Sequence, residues 1–539
     1  MRPAIGFGGS IHDFATCLLT GEGRIVAIED ERLSRVRYAD GDPDPCSASL
    51  AYCLDTVGPD IVDTATFGAN DMLMGVLGTV LDAPGERLRW MNHHHSHALS
   101  TFFTSPFEEA AIVVADGAGS VSDVPGRSLG RHARETTSWA LGRGNLLRPL
   151  DRVIGEKRGT PDSNDADALM SNSLGDLYRA ATEAIGFGFL QAGKTMGLAP
   201  YGDDRFVDRL MDAVELEARG HYSIAMENRG GVLEILDGIP NGPLDDDFDT
   251  NAAIAFAVQS CLETILFHVL DEVWRTTGDS DLCLAGGVAL NCVFNGKIKE
   301  RTPFERVHVV YAPGDGGTAI GAAVHCALEE VGNDRPWRLS HSPYLGRDPG
   351  DDGLDAYGVR LTEEKLCAAV ASLLHQDKAV AWFRGGAEFG PRALGNRSIL
   401  ADPSRPETRD RLNRIKSREW FRPFAPVILT EHLHDFFPGA DPSPYMQFSY
   451  PIKESLRRSV AAVCHVDGSA RVQTTDDAHN PVLAELIREF HRQGGPPVLL
   501  NTSLNVRGEP IVETAKQALD ALAGTDLDAL VIGDRLIVK

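Results

Sequence analysis

The sequence predicts an α/β protein with more than one domain. The chain has 539 residues, which is too long for one ordinary hydrophobic core. Apolar segments of strand length alternate with glycine-rich turns and helix-length segments through most of the chain. A polar stretch rich in Gly, Pro and Asp at 332–353 interrupts this alternation and predicts the main domain boundary.

The first part of the chain carries the signals of α/β layers. Three short apolar runs separated by turns open it and predict a three-stranded meander: AIGFGG, FATCLL and RIVAIED. A buried strand is predicted at 110–119 and a long apolar helix at about 251–276. Two later segments, DLCLAGGVALNCVFNGKI and VHVVYAPGDGGTAIGAAVHCALEEV, each predict a strand, a glycine turn and a helix.

The second part repeats this alternation and predicts a second α/β or α+β domain. Its helix signals are KLCAAVASLLHQ and PVLAELIREFHRQ, and its strand signals are AVAWF, FAPVILT and PPVLLNTS. We therefore predict one domain over residues 1–335 and another over residues 345–539.

Composition narrows the functional classes. A formal net charge of -25 repels a phosphate backbone, so nucleic acid is not expected as the main partner. The nine cysteines include no C-x-x-C pair, which favours a reducing cytoplasm over a disulfide framework or a zinc knuckle. The N-terminus lacks a signal-peptide pattern, and no apolar run near the roughly 18 residues of a membrane span is evident.

Four histidines crowd the segment NHHHSHA, residues 92–98. The segment is predicted to be helical, so His93 and His97 lie four residues apart on one face, as two imidazole ligands of one cation would. His94 and His95 point elsewhere. The alternative is a polar helix start with hydrogen-bonded histidines.

Carboxylates at strand ends are the best candidates to complete such a metal site. Asp116 in VADGAG and Asp315 in APGDGGTAIGAA have flanking glycines, which allow close approach of backbone and ligand. An aspartate in such a turn also serves commonly as a turn former.

Each of three further motifs in the first part of the chain could have either a functional or a purely structural role. His12 lies in a glycine-bearing turn and is either a general base or a turn residue. Lys194, in QAGKTMGLAPYG, could face phosphate, although the order of a Walker A loop is absent. The glycines of LAGGVALN precede a helix whose N-terminus could hold a phosphate, or they serve packing only.

Positive charge concentrates in the second part. From Arg384 to Arg422 the sequence contains ten Arg or Lys and five Asp or Glu, a local net charge of +5. Such a cluster indicates an anion site, because Arg grips phosphate or carboxylate oxygens in pairs. The alternative is a solvated helix face. Asn501, Thr502, Ser503 and Asn505 end a buried strand and could line a polar pocket or form an ordinary turn.

Taken together, these motifs resemble the O-carbamoyltransferases of antibiotic and nodulation chemistry, the NodU/CmcH/TobZ group. The resemblance covers nearly the whole chain. It rests on seven motifs in fixed order: HHHSHA, GKTMGLAPYG, GGVALN, PGDGGTAIGAA, GPRALGNRSIL, REWFRPFAP and NTSLNVRGEPIV.

The resemblance implies two modules. The first is TsaD-like, with the duplicated actin, sugar-kinase and Hsp70 fold (ribonuclease H-like) in two lobes, and the second is YrdC-like. The YrdC signature K-x-R with a later S-x-N corresponds to KSR and SLN in this chain. The second module would make carbamoyl-adenylate from ATP, with Mg²⁺, and carbamoyl phosphate. The first would transfer the carbamoyl group to a hydroxyl of a small molecule.

The resemblance also implies roles for individual residues. The family's iron(II) site matches His93, His97, Asp116 and Asp315, and its base matches His12. Residues in motifs that line the nucleotide site are Lys194, Gly286, Gly287 and Asn291. Residues expected to hold nucleotide phosphates and the carbamoyl group are Arg392, Lys416, Arg418, Ser503 and Asn505. The loop 156–173 matches no motif.

The expected protein is thus a cytoplasmic O-carbamoyltransferase with no nucleic-acid or membrane partner, and a homodimer is an option. Two alternatives stay open. A small-molecule or sugar kinase of the same superfamily would use the first module but leave KSR and SLN without a role. A tRNA threonylcarbamoylation factor would sit poorly with the negative charge.

Overall fold

A computed structural model describes residues 2–39, 44–77, 87–120, 133–157, 169–226, 231–332, 337–348, 354 and 356–539. The chain forms two compact units. The first contains Met1–Ser10, Thr20–Gly23 and Ala65–His341, and the second contains Ile11–Leu19, Arg24–Thr64 and Ser342–Lys539.

The regular elements alternate between strand and helix along the chain. The strands are β1 (Ala4–Gly8), β2 (Ala15–Leu19), β3 (Ile25–Glu29), β4 (Thr66–Asn70), β5 (Leu88–Met91), β6 (Glu109–Ala115), β7 (Ala133–Arg143), β8 (Leu146–Glu156), β9 (Val214–Leu216), β10 (Tyr222–Ile224), β11 (Asp281–Ala285), β12 (Arg306–Val309), β13 (Val359–Arg360), β14 (Val380–Phe383), β15 (Arg397–Ala401), β16 (Ala425–Leu429), β17 (Phe448–Pro451), β18 (Ser469–Thr475), β19 (Val498–Ser503), β20 (Ala529–Ile532) and β21 (Arg535–Val538).

The helices are α1 (Asp30–Ser34), α2 (Ser47–Val57), α3 (Met74–Leu77), α4 (His93–Phe103), α5 (Leu174–Ala184), α6 (Ala192–Leu198), α7 (Val207–Met211), α8 (Val232–Asp237), α9 (Phe248–Thr277), α10 (Cys292–Arg301), α11 (Thr318–Val331), α12 (Glu363–His375), α13 (Pro406–Ile415), α14 (Leu433–Phe436), α15 (Pro481–Arg492) and α16 (Ala515–Gly524).

One pattern of strand pairing occurs twice in the chain. In the first occurrence β1 pairs parallel with β4 and β4 with β5, while β2 and β3 pair antiparallel. In the second, β6 pairs parallel with β11 and β11 with β12, while β7 and β8 pair antiparallel. This repetition confirms the predicted α/β fold with a duplicated, ribonuclease H-like arrangement.

Helix α9 is the longest helix in the described part of the chain, and it is apolar enough to span a membrane by length and composition alone. The sequence predicted this long apolar helix at about 251–276, although polar residues interrupt it. Its 18-residue apolar window is 72% buried inside the fold, as in a core helix. Charged and polar residues occur mainly on its remaining face, so the sequence shows no uninterrupted apolar stretch.

The second unit is built on a nine-stranded mixed sheet, in the order β13-β21-β20-β14-β15-β19-β16-β18-β17. Alternation along β14 shows that both faces are covered. Ala381 and Phe383 pack in one apolar core, and Val380 and Trp382 pack in another. A strand buried on both faces reads as a continuous apolar run, which is why AVAWF was predictable as a strand. This sheet corresponds to the predicted second α/β module.

The compact units differ from the predicted continuous domains in one respect. Most of residues 11–64 belong to the second unit, because side chains of this segment bond to its C-terminal part. Arg32, for example, donates to the carbonyl of Gly390 at 2.6 Å. The division into family domains at 335–345 stays a prediction. Parts of the predicted boundary (333–336, 349–353) and of the unmatched loop (158–168) lie outside the described residues.

Candidate functional site

Four predicted metal ligands meet in the first unit. Helix α4 begins at His93 because the side chain of Asn92 accepts a hydrogen bond from the backbone of His95 at 2.8 Å. One turn later His97 lies on the same face. Asp116 follows β6, and Asp315 follows β12, so both lie at the carboxyl ends of strands that share a sheet. All four side chains are buried.

The donor atoms converge on one point. One ligand atom from each residue lies within 4.8 Å of the others. The Nε2 atoms of His93 and His97 are 3.1 Å apart, and each lies 3.2 Å from Oδ2 of Asp116. Oδ1 of Asp315 lies 3.6 Å from the first imidazole and 3.7 Å from the second. Two imidazole nitrogens and two carboxylates form a donor set suited to a divalent transition metal.

Electrostatics agrees with a site for positive charge. Burial alone would lower the pKa of His93, but its hydrogen bonds to Asp116 and Asp315 raise that pKa to about 10. Burial and the neighbouring Asp315 would raise the pKa of Asp116, yet the two imidazoles hold it below its usual value. The cluster therefore favours a cationic centre facing ionised carboxylates, which is the charge pattern that a metal cation supplies.

Hydrogen bonds around the cluster orient its members. The hydroxyl of Ser10 donates to Oδ2 of Asp315. The backbone N–H of Gly287 donates to Oδ1 of Asp116 at 3.2 Å. Ser120 Oγ accepts from the backbone N–H of His93 at 2.7 Å. Such contacts fix ligand orientation at metal sites. Sequence reasoning missed Ser10 and Ser120, because neither has a spacing that marks it.

The other histidines of NHHHSHA lie outside the cluster, as predicted from helical spacing. His94 Nδ1 lies 2.9 Å from the hydroxyl of Ser138. The ring of His95 packs edge-on against His325, with centroids 6.1 Å apart. Burial lowers the pKa of His94 to about 3 and that of His95 to about 4, so both are neutral packing residues.

The glycine turn after β11 contributes to this centre in a way that its motif alone does not show. Gly286 has φ 89, and a Cβ at this position would lie 2.1 Å from the carbonyl oxygen of Ala115. Only glycine fits there. The tight approach brings the next residue, Gly287, to the carboxylate of Asp116.

Lys194 and Asn291, the other residues assigned to the nucleotide motifs, have structural contacts. The ammonium of Lys194 lies 5.2 Å from the ring centroid of Phe187. Asn291 caps α10 by accepting from the N–H of Phe294 at 3.0 Å, so the helix begins later than predicted. It also bonds in both directions with Gln259.

His12 belongs to the second unit. Its Nδ1 lies 3.1 Å from a carboxylate oxygen of Asp13, a contact that orients the imidazole ring. Asp13 has φ 58, and its N–H donates to the carbonyl of Tyr38 at 2.7 Å. The turn carrying His12 is thus fixed rather than open.

Lys416, Ser503 and Asn505 are brought together in the second unit. The Lys416 ammonium donates to Ser503 O at 2.5 Å, Asn505 Oδ1 at 2.7 Å, Asn505 O at 3.0 Å and Ser503 Oγ at 3.3 Å. The two segments are separated by more than eighty residues of sequence and meet because β19 ends beside the C-terminus of α13. The structure thus brings Lys416 of KSR to Ser503 and Asn505 of SLN, and the nucleotide role implied for these residues stays a prediction.

Arginine side chains surround the buried Lys416; of these, Arg418 and Arg422 are half-buried and Arg37 is exposed. Burial, followed by the charges of Arg418, Arg422 and Arg37, holds the pKa of Lys416 well below its usual value. Arg418 is fixed by Asn413 at 2.6 Å and lies over the ring of Phe424, 3.8 Å from its centroid. Like charges held close to a buried ammonium repel it unless an anion neutralises them, so this cluster has the electrostatics of an anion site.

Not every residue of the basic segment serves that cluster. Arg397 is buried over the ring of Phe383 and donates to the carbonyl of Gly385 at 2.9 Å. Arg411 pairs with Asp528 at 2.5 Å. Asn501, expected in a polar pocket, donates instead to the carbonyl of Ala393 at 3.2 Å. Arg392 is half-buried in the loop between β14 and β15.

Two family models together match most of the chain. The family described as "Carbamoyltransferase N-terminus" matches residues 77–324, and "Carbamoyltransferase C-terminus" matches residues 371–539. The nodulation protein NolNO of Sinorhizobium fredii is 34% identical over 98% of this chain and 79% of its own length. The chain belongs to the carbamoyltransferase family.

Relatives of this carbamoyltransferase include proteins other than nodulation proteins. The protein sll1178 of Synechocystis is 31% identical over 100% of this chain and 97% of its own length. Among solved structures, full-length HypF in its phosphate- and nucleotide-bound form matches 61% of this chain and 56% of HypF, with 13% identity and a TM-score of 0.41. That last likeness is too low to support an argument. The family membership confirms the resemblance and the predicted enzyme class, a transferase of carbamoyl groups.

Proposed function

We propose that this carbamoyltransferase is ATP-dependent and works in two steps. It makes carbamoyl-adenylate from carbamoyl phosphate and ATP, and it transfers the carbamoyl group to a hydroxyl of a small-molecule natural product. The observation that carries the proposal is the buried contact of Lys416 with Ser503 and Asn505 inside a cluster of arginines. A carbamoyltransferase that bound only its acceptor would have no use for a second, strongly cationic site.

The first step assigns the cationic cluster to the reacting phosphates. Carbamoyl phosphate loses its phosphate to water, an oxygen of the resulting carbamate attacks the α-phosphorus of ATP, and pyrophosphate leaves. Lys416, Arg418 and Arg392 would hold the phosphate oxygens and stabilise the charge that develops there. Ser503 and Asn505 would orient Lys416 and the carbamoyl group. ATP would enter with Mg²⁺, as nucleoside triphosphates generally do.

The second step assigns His12 to the acceptor. Its Nε2 would take the proton of the attacking hydroxyl while Asp13 holds Nδ1, and AMP would leave from the carbamoyl carbon as the new carbamate ester forms. The residues that would hold a divalent metal, iron(II) by family resemblance, are His93, His97, Asp116 and Asp315. A bound metal would supply a Lewis acid for a carbonyl or phosphoryl oxygen. Lys194, Gly286, Gly287 and Asn291 are proposed to line the nucleotide near this centre.

The proposed setting follows from the same features. We expect a cytoplasmic enzyme whose partners are ATP, carbamoyl phosphate and a hydroxylated acceptor, without nucleic acid or membrane, and with a homodimer as an option. Making the reactive adenylate and using it within one chain would limit its hydrolysis by water.

The test is to incubate the protein with ATP, carbamoyl phosphate and a panel of hydroxylated natural products. We expect AMP and pyrophosphate to form only with carbamoyl phosphate, and one acceptor to gain the mass of a carbamoyl group. ADP as the sole nucleotide product would overturn the proposal in favour of a kinase. A tight, salt-dependent complex with tRNA would favour the threonylcarbamoylation alternative.

A further inference from the structure

A loop of the second unit carries Arg392 between two separate sets of anchors. The Arg392 loop, residues 389–396, connects β14 to β15 and contains the sequence FGPRALGN. One set of contacts holds its C-terminal half, and a different set holds Gly390. Arg392 lies between them, so its position depends on both.

Side chains of the C-terminal part of the chain hold the C-terminal half of the Arg392 loop. Oε1 of Glu388 accepts three backbone N–H groups, those of Leu394, Asn396 and Arg397, at 2.7, 2.8 and 3.2 Å. The carbonyl of Leu394 accepts from Gln473 at 2.7 Å. These contacts lie within the C-terminal part of the chain and fix the loop after Arg392.

The N-terminal half is held by residues from the start of the chain. Arg32 donates from Nη2 to the carbonyl of Gly390 at 2.6 Å, and Oε1 of Glu29 accepts from the N–H of the same glycine. Gly390 has φ 112, a conformation that favours glycine, so the backbone there is set by an unusual turn. Both polar groups of one residue are thus gripped by side chains some 360 positions away.

The contacts of Glu29 and Arg32 with Gly390 contribute little to the stability of the fold. Arg32 is 1% exposed and Glu29 is 9% exposed, so both charges are desolvated. The guanidinium Nε lies 3.8 Å from Oε2 of Glu29 and 3.6 Å from Oε1 of Glu31, so both ion pairs are longer than a hydrogen bond. In the described part of the chain, Nε and Nη1 of Arg32 have no hydrogen-bond partner. A buried pair of this quality is a poor source of stability, and apolar packing would serve the core better.

The loop leads directly to the Lys416 cluster. The carbonyl of Arg397, at the end of the loop, accepts from the N–H of Leu504 at 2.9 Å. Leu504 lies between Ser503 and Asn505, which hold the Lys416 ammonium. The backbone that carries Arg392 is therefore continuous with the backbone that carries the other anion-binding groups.

We infer that Glu29 and Arg32 are positioning residues of the anion site, which act by fixing Gly390 and, through it, Arg392. The inference rests on the proposed role of Arg392 in holding phosphate. Neither residue belongs to the KSR or SLN signature, and both come from the segment that the sequence assigned to the other domain. Their function is to set the distance from the Arg392 guanidinium to the phosphate that Lys416 also faces.

The test is a double-mutant cycle between Arg32→Ala and Arg392→Ala. Each single variant is expected to raise the KM for carbamoyl phosphate or ATP and to lower kcat/KM for AMP formation by up to about 100-fold, as for a misplaced binding group. If Arg32 acts through Arg392, adding Arg32→Ala to Arg392→Ala causes no further loss. If the loss in the double variant equals the product of the two single losses, the residues act independently and the inference is overturned.

Conservative variants separate positioning from folding. Glu29→Gln keeps an oxygen that can accept from Gly390, so it should retain most activity, whereas Glu29→Ala should not. Arg32→Lys keeps the positive charge but loses the planar, forked guanidinium. It replaces Arg32→Ala in the cycle if Arg32→Ala fails to fold. Arg411→Ala is the matched control, because Arg411 also holds a backbone carbonyl, that of Asp377 at 2.7 Å, outside the site. It should lower the melting temperature without changing KM.

A binding measurement distinguishes a failure of the proposed function from a failure of the positioning role of Arg32. The affinity for ATP, measured by calorimetry on the same four proteins of the cycle, reports on the position of Arg392 whatever the reaction product is. If wild-type protein yields only ADP, the proposed function fails while the cycle in ATP affinity still decides the inference. If AMP forms as proposed but Arg32→Ala binds ATP and carbamoyl phosphate as wild type does, the inference alone fails.

Discussion

Replacing Lys416 by methionine should abolish most of the adenylation activity while leaving the length of the side chain nearly unchanged. Lys416 is 6% exposed, and its ammonium makes four contacts between 2.5 and 3.3 Å with Ser503 and Asn505. A hydrogen bond to a charged group contributes about 1.5–3 kcal/mol. If the ammonium makes one such bond to a phosphate in the transition state, its loss lowers kcat/KM by about 10- to 150-fold, at about 1.4 kcal/mol per factor of ten.

The assay is carbamoyl-phosphate-dependent release of AMP and pyrophosphate, measured at saturating and at limiting ATP. Lys378→Met is the matched control in the same unit, because Lys378 pairs with Asp528 at 3.1 Å on a partly exposed surface. Such a pair contributes at most about 1 kcal/mol to stability, and its loss should leave kcat/KM unchanged.

A Lys416→Met protein with wild-type kcat/KM for AMP release would refute the reasoning. The ammonium would then serve only to bridge Ser503 and Asn505. An equal loss in the Lys378→Met control would also count against it, since the effect would not be specific to the cationic cluster.

Three further outcomes are expected. The double variant His93→Ala, His97→Ala should lose bound iron in elemental analysis, and full retention of metal would contradict the ligand assignment. His12→Ala should block carbamoyl transfer to the acceptor while carbamoyl-phosphate-dependent pyrophosphate release and carbamoyl-adenylate formation persist; loss of both steps would argue against two separate sites. Burial raises the pKa of Glu29 to about 7, so the folded protein holds a proton there that the unfolded chain releases near pH 4.5. The stability that this bound proton contributes is fully present below pH 4.5 and is lost as the pH rises through about 7. The urea midpoint of the wild type should therefore fall over this range, and Glu29→Gln should reduce that fall.

Sequence patterns predicted that four candidate ligands converge, because each of them depends on a short-range rule. Helical spacing paired His93 with His97, and glycines after apolar strands marked Asp116 and Asp315. The parallel sheet then brings the two strand ends together, so local signals were sufficient to foresee a three-dimensional cluster. The same rules correctly excluded His94 and His95.

The predictions that differed from the structure depend on long-range contacts. The basic segment was counted as one patch, yet Arg397 and Arg411 serve the fold, because a charge count does not show which side chains point inward. Asn291 reads as part of a ligand motif but caps a helix. The contacts of Glu29 and Arg32 with Gly390 have no sequence signal at all, since more than three hundred residues separate the partners.

The divided second unit has a consequence for the order in which the protein can fold during synthesis. Arg24–Thr64 leaves the ribosome before Ala65–His341 is made, and only afterwards does the chain of Ser342–Lys539 follow. At about 5–20 residues per second, that delay is roughly tens of seconds. Through that interval the side chains of this segment that bond to the C-terminal part, such as Arg32 and Tyr52, would wait for those partners. In nascent chains stalled before residue 342, the segment of Arg32 and Tyr52 should therefore be cut by proteases more readily than in the complete protein.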